Sequence, residues 1–391
     1  MFGASVIWSG SSCRRGGSKH GTLRGEEAGV VEWVAWLLRT IAECILPFLK
    51  SWTWIPWYTI ALLHVAGALI GVISVLAMFL IWLERKVSAH MQDRLGPMRV
   101  GGWHGWAQSI ADGIKLLLKE DIIPAMADKP LFKLAPMLIF TVTFMSFVVL
   151  PFSQYLIVSD LNIGVLYVYG ISTVTVIGII IAGWSSNNKW SLLGAMRSAA
   201  QLVSYEVPVG MSLLAGIAMA GSMSTVEISV AQAGGIWNWF LWRCFPFSFI
   251  AAGLLFVGAL AETNRTPFDI AEAESELVSG YHTEYSGFRF SLFFLAEYAN
   301  MFVASALVVV LFLGGFSGPI PIPIVPDVIA GPFWFLVKTL FLVFVMMWVR
   351  WTLPRLRVDQ LMGMCWKYLI PLSLVNLAVI GLWMSLSAAP K

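Results

Sequence analysis

Six carboxyl side chains, Glu262, Asp269, Glu272, Glu274, Glu276 and Glu284, fall within 23 positions between two long apolar runs, with Arg265 the only Lys or Arg among them. Neighbouring carboxylates repel, and low-dielectric surroundings disfavour ionisation, so such a group at the edge of an apolar segment tends to retain or share protons. Two further acids, Glu206 and Glu297, stand alone in apolar runs. A charged acid at mid-bilayer costs about 2.5–3.5 kcal/mol on insertion scales, so it persists with a partner, a water channel or a proton on it. Pro208 follows Glu206 by two positions and frees backbone groups that water or side chains can satisfy beside the acid. The chemistry these residues suggest is proton handling.

A capping role competes inside the acidic segment. Thr266-Pro267-Phe268-Asp269 reads as a helix start, with Thr266 as N-cap, Pro267 at the first helical position and Asp269 three residues after the cap. If that helix continues, Asp269, Glu272 and Glu276 share a face while Glu274 points elsewhere. Like charges four apart weaken a helix by a few tenths of a kcal/mol, so capping explains Asp269 but not Glu272 and Glu276 together. A solvated loop would carry all of them at little cost.

The elements that must position these acids are membrane helices. The 391 residues are 58% hydrophobic and 12% charged, and the mean hydropathy is +0.79. Apolar runs long enough to cross a hydrocarbon core of about 30 Å lie near 57–83, 132–151, 161–184, 199–221, 245–262, 289–313, 332–350 and 369–387. Helices of this length satisfy their own backbone in lipid, so the expected fold is an all-α integral membrane protein of about eight transmembrane helices, with cytoplasmic amphipathic helices and an acidic cytoplasmic loop.

Sixteen Lys and Arg residues flank the spans on one side, from Arg85 to Lys367, against Arg243 and Lys391 on the other. Cytoplasmic loops carry the basic excess, which predicts the acidic loop inside and both chain ends outside. Residues 1–50 form an N-terminal extension separate from the transmembrane domain at 51–391. Its first 27 residues, rich in Gly and Ser, are expected to be disordered. Trp33, Trp36, Leu37, Ile41, Ile45 and Phe48 recur at helical spacing, as in an interfacial amphipathic helix. A start codon placed too far upstream is the alternative.

Cys13, Cys44, Cys244 and Cys365 form no C-x-x-C pair, so no iron–sulfur or zinc site is expected. Of the five histidines, His64 alone lies within a predicted span, which leaves a membrane haem without a second ligand. Glycine-rich phosphate-binding motifs are absent, and a net charge of +3 gives no support for nucleic-acid binding.

Three other stretches stand out. Glu84-Arg85-Lys86, followed by Arg94-Leu95-Gly96-Pro97, reads by itself as a positive-inside anchor and a turn. From Trp106 to Ile122, one helical face carries Trp106, Ile110, Ile114, Leu117 and Leu118, and the other Asp112, Lys115 and Lys119. Such a helix lies along the membrane surface and can roof a cavity for a lipid-like ligand. Lys338, near the outer end of a span, is expected to snorkel.

The stretch Glu262-Thr-Asn-Arg-Thr-Pro-Phe-Asp-Ile-Ala-Glu-Ala-Glu-Ser-Glu-Leu-Val-Ser-Gly-Tyr-His-Thr-Glu-Tyr-Ser-Gly closely resembles the signature of the H subunit of bacterial NADH-quinone oxidoreductase, the counterpart of subunit 1 of mitochondrial complex I. Further matches are Glu84-Arg-Lys with Arg94-Leu-Gly-Pro, Ala111-Asp-Gly-Ile-Lys, Gly194-Ala-Met-Arg-Ser-Ala-Ala-Gln, Ser204-Tyr-Glu-Val-Pro and Pro354-Arg-Leu-Arg-Val-Asp-Gln-Leu-Met. The resemblance covers roughly 57–387 and leaves the N-terminal extension outside it.

That resemblance implies a membrane subunit of a proton-translocating enzyme of the bacterial inner membrane. Its substrate would be quinone, while FMN and iron–sulfur clusters would sit on partner subunits. Arg85, Arg94, Asp112, Lys115, Arg265 and Asp269 would line or support the quinone chamber. Glu206, Glu262, Glu272, Glu274, Glu276 and Glu297 would form an acidic relay, and Arg355 and Arg357 would face the peripheral arm. The homologous membrane anchor of an energy-converting hydrogenase is the nearer alternative, which neighbouring genes would separate. A stand-alone proton-coupled transporter is the other, and it predicts inverted repeats that the sequence does not display.

Overall fold

The structure, a computed structural model, describes residues 57–270, 277–319 and 327–388, with side chains for all of these except 57–66, 68, 69, 327, 328 and 388. The chain divides into two compact units, 1–61 and 62–391, and the second contains every described helix apart from the first residues of α1. Every regular element among the described residues is helical. In chain order these are α1 (Trp57–Met91), α2 (Gln108–Leu118), α3 (Lys129–Phe147), α4 (Gly164–Ser185), α5 (Lys189–Ala220), α6 (Thr225–Val230), α7 (Phe240–Arg243), α8 (Phe247–Glu262), α9 (Gly287–Phe312), α10 (Asp327–Thr352), α11 (Val358–Met364) and α12 (Ile370–Ala388).

Six stretches among the described residues are long and apolar enough to cross a membrane: α3, α4, α5, α9, Ile329–Thr352 of α10, and Val358–Ser387. The last runs through α11, a π-helical turn at Cys365–Leu369 and α12. The first predicted run lies in α1, and the fifth in α8, an apolar helix of 16 residues. The chain is a multi-pass membrane protein by this measure.

Helix α9 is the centre of the packing. Nearly every side chain from Ala299 to Phe312 is buried, and the helix meets α3, α8, α10 and α2. Lipid tails are as apolar as Leu, so such helices associate through close packing rather than by escape from water. Phe302 illustrates this, with its ring 5.8 Å from Phe147 and 6.5 Å from Phe335. A separate cluster, including Phe132, Ile139, Ala195 and Phe293, joins α3, α4 and α5 to the first turns of α9 and the segment just before it.

Helix α5 starts at Lys189, ten residues before the predicted span, for two local reasons. The Asn188 side chain accepts from Trp190 N at 3.0 Å and caps the helix. Beyond the cap, a Cβ added at Gly194 would come 2.8 Å from Gly280 Cα, so this turn packs directly on another backbone. The helix ends at Gly221, whose φ of 76 is left-handed and whose N–H reaches Ile217 O at 2.8 Å.

Three expectations are corrected. Thr266 does not cap a helix: the Thr266–Pro267 bond is cis, and residues 266–270 form turns closed by Phe268 N to Arg265 O at 2.8 Å. Phe268 is buried against Tyr205, with ring centroids 5.4 Å apart, which holds the chain in that turn instead of a helix. Lys338 does not snorkel: it is 9% exposed and donates to Leu313 O at 2.7 Å and Ser317 O at 2.8 Å, covering carbonyls left at the end of α9. The amphipathic surface helix is shorter than predicted: α2 covers Gln108–Leu118 and ends where Lys119 turns extended, with φ -70 and ψ 139. The expectations for residues 1–50, for the side chain of His64, and for Glu272, Glu274 and Glu276 lie outside the described residues.

Candidate functional site

A buried knot of charge forms where the C-terminal part of α1 meets the turn after α8. Arg265, 3% exposed, donates through Nη1 to both oxygens of Glu84, at 2.9 and 3.0 Å, and its Nε lies 2.9 Å from Glu297 Oε1. Its guanidinium also stands 4.5 Å from the centre of the Tyr298 ring. Arg350 of α10 also bonds Glu84, through the same Oε1 that Arg265 reaches. Burial alone would push Arg265 toward losing its proton, but Glu297 and Glu84, with Tyr298, outweigh it and hold the pKa well above its ordinary value. Arg265 therefore bridges two carboxylates from different helices, while Arg350 shares Glu84 with it.

From this knot two small cavities run between α4, α5, α8 and α9. The first, about 40 Å³, is lined by Glu297, Glu262, Asn264, Thr143, Thr175 and Asn300 on its polar side. The second, about 20 Å³, is bordered by Glu262, Glu206, Tyr169, Ser172, Thr175 and Asn300. Glu262 lines both, so Glu297 and Glu262 border one cavity and Glu262 and Glu206 the other. A site needs about 10–15 Å³ in this measure, and two to four polar partners, to hold a water, and both cavities meet that.

Local backbone chemistry supports the far end of this file. Pro208 has no N–H to give to Ser204 O, and the Cys365 thiol supplies the missing donor at 3.1 Å from the π-helical turn. The Tyr169 hydroxyl donates to Glu206 O at 3.1 Å. The side-chain compensation expected beside Pro208 is thus present.

The other predicted residues fall into separate groups. Arg85 pairs with Asp112 of α2, and Lys115 lies 3.9 Å from the same carboxylate. The apolar face of α2 is open, with Ile114 53% and Leu118 83% exposed. Arg94 is exposed and bonded to Gln92. Asp269 accepts from Arg355 at 2.9 Å, and Leu356 N bonds Pro267 O at 3.1 Å, which fixes the chain after α10 to the cis turn. Arg355 and Arg357 border a cleft of about 480 Å³ together with Arg197 and Asp359. Glu284 accepts from Asn188 Nδ2 at 2.6 Å and serves the start of α5.

Sequence reasoning misses Glu84, Arg350, Asn300 and Thr175 as members of this arrangement. Glu84 is hidden because Glu-Arg-Lys at a span end reads as an anchor, although an acid directly after an apolar run is its own signal. Arg350 registers only as a topology determinant. Asn300 and Thr175 are uncharged, and only their spacing from Glu297 and Ser172 marks them.

His282 is 3% exposed among the rings of Tyr281 and Phe293, at 3.9 and 4.9 Å. Burial pushes its pKa from 6.5 down to about 3. The unfolded chain therefore takes a proton near pH 6.5 that the folded chain refuses until about pH 3, so stability falls as pH drops through that window. The unfolding temperature of the purified protein is expected to fall across this range, with a smaller slope in His282→Asn. An equal slope in both would refute the assignment.

The same residues lie within a region shared with known proteins. Residues 63–381 match the family model described as NADH dehydrogenase. The H subunit of NADH-quinone oxidoreductase from Chlorobaculum tepidum is 48% identical over 353 residues, covering 86% of this chain and 98% of that protein. The corresponding protein of Geobacillus kaustophilus is 47% identical, covering 84% of this chain and 96% of its own length, and that of Anaeromyxobacter dehalogenans is 46% identical, covering 85% and 84%. About four-fifths of the chain, including every residue of the charged knot and both cavities, lies within the family match. The chain therefore belongs to the NADH dehydrogenase family, which comprises the H subunit of the bacterial oxidoreductase and subunit 1 of complex I.

Proposed function

We propose that this chain is the membrane subunit of a bacterial inner-membrane NADH-quinone oxidoreductase in which a quinone chamber is joined to an acidic proton relay. The names of the relatives support the quinone substrate over the hydrogenase alternative. The observation that supports the relay is Glu262, which lines one cavity with Glu297 and another with Glu206. A quinone that receives electrons from a neighbouring subunit must also take up protons. The resulting change of charge is passed along coupled carboxyls, which titrate as a group rather than singly.

In this reading Arg85, Asp112 and Lys115 of the α1–α2 contact support the quinone entrance, with Arg94 nearby and the open apolar face of α2 toward a lipid-like tail. Asp269 stands at the chamber end and Arg265 offsets the charge of the buried acids. Glu272, Glu274 and Glu276 continue the relay. Arg355 and Arg357 meet the peripheral arm, whose subunits carry FMN and iron–sulfur clusters. About eight spans cross the membrane, counting α1 and α8 with the six stretches named above, and the basic side faces the cytoplasm. Residues 1–50 precede this domain as an extension.

Membership of the complex is tested by purifying the tagged chain from its host in mild detergent. Flavin- and iron–sulfur-bearing subunits are expected to accompany it. A solitary chain would contradict the proposal.

A further inference from the structure

The relay reading leaves a gap that the cavities themselves address: carboxyls on separate helices exchange protons only if something bridges them. Thr175, Glu262 and Asn300 all line both cavities. Asn300 lies three positions after Glu297 on α9, and Thr175 three positions after Ser172 on α4, so each shares a helix face with a residue of the file. The two faces meet across the carboxyl end of α8, where Glu262 is the last helical residue.

Asn300 and Thr175 are half-buried, and among the described residues neither side chain has a hydrogen bond to another protein group. A polar side chain kept inside a membrane protein without a protein partner would be costly unless water satisfies it. Both groups can donate and accept, as a water in a proton relay requires of its neighbours. Ser172, by contrast, already donates to Tyr169 O at 2.9 Å.

We propose that Asn300 and Thr175 are positioning residues that hold the water joining Glu297 to Glu262 and, through the second cavity, Glu262 to Glu206. This rests on the relay reading and adds the groups that make it continuous. In each transfer a proton leaves one carboxyl for the water while another leaves the water for the next carboxylate, so the water is regenerated. Neither Asn300 nor Thr175 gains or loses a proton.

The test uses the intact complex in membranes, with Asn300→Leu and Thr175→Val removing hydrogen-bonding groups at nearly constant size, and Thr175→Ser keeping the hydroxyl. NADH oxidation by a soluble acceptor, a reaction of the partner subunits, reports that each complex is assembled. Quinone-linked turnover is expected to fall at least about tenfold in Asn300→Leu and Thr175→Val, with a larger solvent deuterium isotope effect, while Thr175→Ser stays near the parental rate. Glu262→Gln is measured beside them. If Glu262→Gln loses turnover while Asn300→Leu and Thr175→Val keep the parental rate and isotope effect, the water-positioning role is wrong and the relay stands. If Glu262→Gln also keeps full turnover, the relay itself is wrong and the proposal falls with it.

Discussion

Replacing Arg265 by methionine is expected to destabilise the folded chain by about 3–5 kcal/mol, the range for removing one partner of a buried ion pair. The size follows from what Arg265 leaves behind. Glu84 would keep Arg350, but Glu297 would lose the only ion-pair partner it has among the described residues, 2.9 Å away. Glu297 sits on α9, whose Ala296, Ala299 and Phe302 are fully or almost fully buried, so its backbone is held in place. The measurement is the unfolding temperature of the purified complex, together with the yield of assembled complex. Adding Glu297→Gln to Arg265→Met should recover part of the loss, because a neutral amide removes the uncompensated charge. An unchanged unfolding temperature in Arg265→Met would show that the knot contributes nothing to stability.

The second large effect is on turnover. Glu262→Gln keeps size and hydrogen bonding but removes the exchangeable acid from the residue that lines both cavities. A positioned proton donor or acceptor contributes about 10²–10⁴-fold to a rate, so quinone-linked NADH oxidation should fall by roughly that factor, with the soluble-acceptor reaction retained. Glu206→Gln should follow the same direction, being the next acid along the same cavity. Retention of the parental quinone-linked rate in Glu262→Gln would exclude an obligatory relay through this residue.

Much of this arrangement is legible in the sequence because isolated acids in apolar runs are expensive and conspicuous. Glu206, Glu262 and Glu297 stand out on that ground, and the structure brings all three to the lining of two cavities that share Glu262. The pairing of Glu84 with Arg265, 181 positions apart, is not legible, since no local pattern encodes which buried charge meets which. The cis turn at Thr266–Pro267 reads in sequence as a helix start because Thr-Pro-x-Asp fits a capping pattern equally well. What decides between them is the burial of Phe268 against Tyr205, a tertiary contact. Lys338 misleads for a similar reason: its place near a span end suggests lipid headgroups, while the carbonyls it reaches lie at the end of another helix. Helix existence follows from hydropathy, whereas the early start of α5 depends on the Asn188 cap and the close approach of Gly194 to Gly280.

The central claim, that carboxyls centred on Glu262 couple quinone reduction to proton movement, is tested most directly by proton translocation in sealed vesicles containing the Glu262→Gln complex. NADH is added with quinone present, and protons moved are measured per NADH oxidised. The account predicts that translocation is lost, beyond what the slower turnover explains, while NADH still reduces a soluble acceptor. A parental ratio of protons to NADH in Glu262→Gln would contradict it.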